Sequence, residues 1–262
     1  MTDQKPGFIV SSFALLVFLF LQLPVIVVVL ASFSETSYLT IPPQGWTLDW
    51  FREVLTDSTY LNAIKISLIL AVSATCLSLV LGVAASYAIA RRMVPGSEAL
   101  ASFLMAPLAI PAVVIGVAML QYFSLVGLRG GFVTLIIAHV VITVPYIVRS
   151  ALASLSGMDV AMEEAARVLG AGSFTAFRLV TLPLIKPGLV AGALFSFVVS
   201  MENVPVTIFL AGARQTTLPI LIFTSVEMGV TPGVAAVSTL LIVATLVVLL
   251  LAERWTGFHR FV

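Results

Sequence analysis

The chain carries few ionisable side chains, so each one that interrupts apolar sequence has to be given a chemical role. Glu163 and Arg167 stand four residues apart in the acid-first order that supports a helical ion pair, and Glu164 adjoins them. Glu202 and Asn203 interrupt the run GALFSFVVSMENVPVTIFLAG. A carboxylate there is costly unless it is paired or faces water, so Glu202 is a candidate for lining an aqueous path. A carboxylate hydrogen-bonded inside a bundle, or paired across an interface, is the alternative. His139 lies midway along another apolar run and could relay protons or bind a metal. The only other histidine is His259, near the C-terminus, and Cys76 is the single cysteine, so no Cys, His and carboxylate cluster has metal-ligand spacing. The stronger reading of His139 is a packed, hydrogen-bonded side chain, and that of Cys76 a lipid-facing or packing residue. There is no G-x-x-x-x-G-K-[ST], no H-E-x-x-H and no G-x-S-x-G. Catalytic, cofactor and metal residues are therefore expected to be absent.

The elements that position these residues read as membrane helices. Of 262 residues, 60% are hydrophobic and 10% charged, against about 25% charged in soluble domains. The net charge of +1 says nothing about nucleic acid, but there is no basic block to bind it, and no nucleic-acid partner is expected. Six apolar stretches can cross a core of about 30 Å: residues 8–31, 62–90, 99–123, 132–151, 187–211 and 233–252. The first is too long for the apolar part of a signal peptide and reads as a retained span. No internal repeat is visible, and residues 1–262 read as one transmembrane domain of all-α class.

With the N-terminus inside, nine Lys/Arg lie on the inner side (Lys5, Arg91, Arg92, Arg149, Arg167, Arg178, Lys186, Arg254, Arg260). Four lie outside (Arg52, Lys65, Arg129, Arg214). The bias places both termini and the loop at about 156–186 in the cytoplasm. The outer loop at about 34–61 contains TLDWFREVLTD, a short helix expected to be capped by Thr47, with Trp46 and Trp50 suited to the interface. It either shields the bundle or meets a substrate-delivery protein. Gly82 with Ser86, and Gly188 with Gly192, have the spacing of close helix contacts in lipid. Pro107, Pro111 and Pro145 can kink their spans. Glu202 lies fifteen residues beyond Pro187, or about 22 Å of helix, in the outer half of the bilayer. Asn203 points about 100° further round the helix, toward a partner interface. Pro205 is expected to free the Met201 carbonyl. TLPILIFTSVEMGVTP reads as an outer re-entrant or interfacial helix.

The longest polar interlude is EEAARVLGAGSFTAFRLVTLPLIKPG, from Glu163 to Gly188. Residues 159–169 read as a helix with Ala161, Ala165, Val168 and Leu169 on one stripe. Gly170 is placed for a left-handed cap, Ser173 for capping a second helix, and Pro183 and Pro187 for a bend back toward the bilayer.

This interlude resembles the EAA loop of permease subunits of binding-protein-dependent ABC importers. Glu164-Ala165-Ala166, Gly170 and Leu182-Pro183 stand at that family's spacing. The N-terminal span, the aromatic outer loop, PLAIP at 107–111 and SMENVPVTIFLAG are similar to the second permease subunit of spermidine/putrescine-type importers. The resemblance implies a six-helix bundle of the type I importer permease class with a cytoplasmic coupling helix, in a bacterial inner membrane. It implies Glu163, Glu164, Ala165, Ala166, Gly170, Leu182 and Pro183 as ATPase-coupling residues, and Glu202 and Asn203 in the translocation pathway. It implies two ATPase subunits holding ATP and Mg, a second and different permease chain, an external binding protein, and a small amine-bearing solute. Related subunits carry two adjacent acids where this chain has Glu202 and Asn203. That leaves aminobutyrate, opines and aminoalkylphosphonates open beside polyamines. An ion-coupled secondary transporter is the other class, opposed by the missing inverted repeat. No residue argues for a membrane enzyme or scaffold.

Overall fold

The computed structural model describes residues 7–128, 130–212, 215–229 and 231–256. Lys5, Arg129, Arg214, His259 and Arg260, used above, lie outside the described residues. Among the described residues there are five helices long and apolar enough to cross a membrane, or six if one sharply bent pair counts as a span. The backbone groups into two compact units, residues 1–61 with 222–244, and residues 62–221 with 245–262.

In the first unit, α1 (Phe8–Ala31) follows the apolar run. From Ile9 to Leu30 none of its side chains is buried, as suits a helix whose neighbours are lipid or another chain. The following loop is folded by aromatic rings, with Phe33 packing on Phe51 and Trp46 at centroid distances of 5.0 and 6.1 Å. Trp50 donates its indole N–H to the Ser34 carbonyl at 2.8 Å. It lies on α2 (Asp49–Thr56). Thr47 does not cap this helix as expected: Leu48 occupies the cap position with no side-chain cap bond, and Thr47 Oγ1 one residue earlier accepts only from the N–H of Asp49, the first helical residue, at 3.0 Å.

The second unit is built around α6 (Phe132–Ser156), which packs against α9 (Leu182–Glu202) and α3 (Ser58–Ala90). Ile147 of α6 is fully buried. A Cβ on Gly82 of α3 would lie 2.7 Å from Ile147 Cγ2, and one on Gly192 of α9 would lie 3.1 Å from Ser150 Cβ. The small-residue pairs therefore mark real helix contacts, with the missing side chains making room for α6. Ser86 adds a hydrogen bond from its hydroxyl to the Val148 carbonyl, at 3.4 Å. Hydroxyls elsewhere satisfy one another between helices, Ser78 with Thr143 at 2.8 Å and Ser196 with Thr75 at 3.3 Å.

Two expected spans differ from the sequence reading. The stretch 99–123 is not one helix. It divides into α4 (Ser97–Met105), a 3-10 turn at Ala106–Leu108 and α5 (Ala112–Leu125), with a bend of 103°. Pro107 lies within the turn and Pro111 immediately precedes α5, and the absent N–H at Pro111 cannot continue the ladder. The fifth span begins and ends earlier than 187–211. Helix runs from Ser173 through Glu202, and Pro183 and Pro187 sit within it rather than ending it. Pro183 stands in the first turn of the α9 segment, directly after the π turn at Phe177–Thr181, and Pro187 lies further inside α9. After an interruption at 203–206 come α10 (Thr207–Leu210), α11 (Leu218–Met228), too short to span, and α12 (Pro232–Thr256).

Candidate functional site: the α7 corner and the broken fifth span

The EAA sequence forms α7 (Ala161–Val168), closed by Gly170 at φ 92° and followed by α8 (Ser173–Ala176) and a π turn at Phe177–Thr181. The positive φ confirms the left-handed corner, which glycine adopts without a steric penalty. Ser173 does not cap. Gly172 occupies the cap position and Ser173 is the first helical residue, with no side-chain cap bond.

Glu163 and Glu164 are divided by the 100° step between neighbouring helical residues. Glu164 is exposed, whereas Glu163 is 2% exposed and turned into the protein. One Glu163 oxygen accepts from the Tyr87 hydroxyl and from Arg167 Nη2 at 2.8 Å. The other accepts from Arg91 Nε at 3.0 Å and Thr181 Oγ1 at 3.2 Å, with Arg91 Nη2 2.8 Å away. The Arg91 guanidinium also lies 5.8 Å from the centre of the Tyr87 ring, whose edge meets Phe177 at 4.8 Å. Burial pushes the Glu163 carboxyl upward. The Tyr87, Arg91 and Thr181 hydrogen bonds and the Arg91 charge outweigh it, holding the pKa below the ordinary value.

Among the expected coupling residues, Glu164, Ala165, Gly170 and Pro183 are exposed and Ala166 is half-buried. Glu163 is unavailable to a docking partner because its oxygens are occupied within the chain. Leu182 packs against the buried cluster of Ala151, Leu155, Ile185 and Leu189. Val168 and Leu169 are 86% and 87% exposed, and Met162 and Phe174 add to this uncovered apolar surface. Sequence reasoning missed Tyr87, Arg91 and Thr181. Tyr87 and Arg91 lie four apart at the end of α3, a helical spacing that could have signalled a shared face.

The fifth span breaks where its polar residues cluster. Glu202 is exposed at the end of α9. Asn203, expected along the pathway or at an interface, turns its Oδ1 back onto the Val206 N–H at 2.9 Å. Pro205 stands in the interruption. Gly116 of α5 admits this segment closely, since a Cβ there would come within 2.9 Å of the Pro205 carbonyl. His139 is fully buried beside it, with Nδ1 2.7 Å from Ser200 Oγ and Nε2 3.0 Å from Thr207 Oγ1. Thr207 sends its hydroxyl proton to the Asn203 carbonyl. Nε2 is therefore the ring donor and Nδ1 accepts from Ser200, a pattern satisfied by neutral imidazole. His139 is the packed histidine expected from the sequence. It joins the helix before the interruption to the one after it. Among the described residues no group of three His, Cys, Asp or Glu is placed to hold a metal.

A bundle of apolar helices with buried hydroxyl pairs, a broken span and an exposed amphipathic corner is the build of a membrane permease. Residues 78–257 match the family of binding-protein-dependent transport system inner membrane components, and the chain belongs to that family. It is 33% identical over 249 residues to the spermidine/putrescine transport system permease protein PotC of Haemophilus influenzae, covering 95% of this chain and 96% of that one. It is 34% identical over 235 residues to the putrescine transport system permease protein PotI of Escherichia coli K12, covering 87% and 83%. A bacterial ABC transporter that imports the acidic polysaccharide alginate shares the fold, with a TM-score of 0.73 and 17% identity over 94% of this chain and 95% of the other. The inward-facing MetNI methionine ABC transporter gives a TM-score of 0.64 at 19% identity, over 75% and 94%. The chain is thus an all-α, multi-pass permease subunit of the ABC importer class, a transport component and not an enzyme.

Proposed function

We propose that the chain forms half of the translocation pathway for a small amine-bearing solute of polyamine type. The outward face of α7 and the Gly170 corner dock on a cytoplasmic ATPase subunit. The observation that carries the docking is the uncovered apolar surface of Met162, Val168, Leu169 and Phe174 beside exposed Glu164, on a polar loop where water would otherwise meet it. Two ATPase subunits supply ATP and Mg, a second and different permease chain completes the path, and an external binding protein delivers the solute. The Lys/Arg bias favours both termini in the cytoplasm of a bacterial inner membrane. Glu164, Ala165, Ala166, Gly170 and Pro183 belong to the docking surface, and residues 1–262 act as one transmembrane domain.

Glu202 faces the pathway and helps pass the cationic group. It is exposed at the carbonyl end of α9, where the helix dipole adds negative potential. The names of the relatives support a polyamine. A single carboxylate at 202–203 supports a solute with one amine instead, and a 29%-identical relative from Salmonella paratyphi A is a putative 2-aminoethylphosphonate permease.

The test is uptake of labelled putrescine by the whole importer in liposomes. Glu202→Gln should lower uptake while the complex remains assembled, and unchanged uptake kinetics would refute the pathway role. Leu169→Asp should release the ATPase during purification, and full retention would refute the docking face.

A further inference from the structure

A surface helix ordinarily attaches through an apolar stripe. In α7 the arrangement is reversed. Its apolar side chains Met162, Val168 and neighbouring Leu169 are exposed, and of its eight residues only Glu163 is buried. The attachment is a carboxylate with four side-chain donors: Tyr87 and Arg91 at the end of α3 and Thr181 in the π turn that leads into α9 tie it to two other elements, and Arg167 adds a bond within α7 itself. Apolar contact is non-directional and lets a helix slide. A charge-assisted set of bonds fixes both position and orientation. A buried ion pair is a poor route to stability, since apolar residues of similar volume serve as well. The π turn adds to the geometry, because its irregular register coincides with the position at which Thr181 reaches the same oxygen as Arg91.

We propose that Glu163 is a positioning residue of the transport cycle. Its buried carboxylate locks α7 to the end of α3 and to the head of α9, so that displacement of α7 is passed to both spans as one body. This rests on the reading that α7 docks on the ATPase. Glu163 does not touch the ATPase or the solute. It acts through Tyr87, Arg91 and Thr181.

The experiment uses the assembled importer, with nitroxides on exposed Ala161 of α7 and exposed Met93 beyond α3. In the wild type their distance distribution should be narrow and unchanged by ATP binding. In Glu163→Gln it should broaden and shift with ATP, while ATP hydrolysis continues and putrescine moved per ATP falls at least about fivefold. A purely structural role would lower hydrolysis and uptake together and leave that ratio unchanged. Tyr87→Phe and Thr181→Val each remove one donor without stranding a charge, and should give smaller changes in the same direction. Where Glu163→Gln assembles poorly, Glu163→Gln with Arg91→Met removes both charges, and the same changes are expected. A wild-type distance distribution and wild-type transport per ATP in either variant would overturn the lock. The distance arm needs no solute, so a wild-type complex that ignores putrescine refutes the polyamine reading, and the distances still decide the lock. Full ATPase retention in Leu169→Asp would refute docking, independently of both.

Discussion

Replacing His139 by leucine tests whether the ring holds the broken fifth span together or does chemistry there. The ring makes two hydrogen bonds, at 2.7 Å to Ser200 and 3.0 Å to Thr207, and these residues flank the interruption at 203–206. Leucine has a similar volume, so the cavity contribution is small and the loss is that of the two bonds. Interhelical hydrogen bonds in membrane proteins contribute about 0.6 kcal/mol on average and up to about 1.7. Thr207 keeps its bond to the Asn203 carbonyl, so its hydroxyl is not stranded. His139→Leu should therefore cost about 1–2 kcal/mol, and His139→Gln, which retains one donor and one acceptor, about half as much. Denaturant titration of the purified complex measures the loss, and putrescine uptake is followed in parallel. Wild-type stability with abolished uptake in His139→Leu would refute the structural assignment and return the ring to proton or solute transfer.

Three further outcomes follow from the geometry. Gly192→Leu must push α6 and α9 apart, since even a Cβ would lie 3.1 Å from Ser150 Cβ and 3.3 Å from the Tyr146 carbonyl. Overpacking of this kind costs about 1–3 kcal/mol, seen as a lower unfolding midpoint. Gly170→Ala meets no atom within 4 Å, so its cost is the left-handed backbone alone, about 1–2 kcal/mol. It should fold and keep partial transport, whereas Gly170→Arg, with a bulky charge on the docking face, should abolish transport in a folded membrane domain. The folded pKa of Glu163 lies below its unfolded value of about 4.3. Its contribution is therefore complete above that unfolded value and lost as pH falls through the lower folded one. Acid broadening of the Ala161–Met93 distance distribution should be present in the wild type and absent in Glu163→Gln, already broad at neutral pH.

The sequence alone determined the class, because crossing a bilayer demands long apolar runs and such runs are local properties of the chain. The first helix, Phe8–Ala31, has the bounds read from composition. The close contacts of Gly82, Gly188 and Gly192 were legible as spacing, since only small residues let helix backbones approach in lipid. The Gly170 corner was legible too, from backbone preference. What required the tertiary structure was every choice that depends on a distant segment. A proline can break a helix or sit within one. Pro107 and Pro111 stand at a break of 103°, whereas Pro183 and Pro187 ride within one helix. Two neighbouring glutamates look alike in sequence. Only the packing of α3 and the π turn decides that Glu163 faces inward, because its donors Tyr87 and Arg91 lie more than seventy residues away along the chain. His139 likewise gains its meaning from Ser200 and Thr207, sixty-one and sixty-eight residues distant. A hydrogen bond is satisfied in space, and periodicity along the chain records which face a side chain occupies but not what stands opposite it.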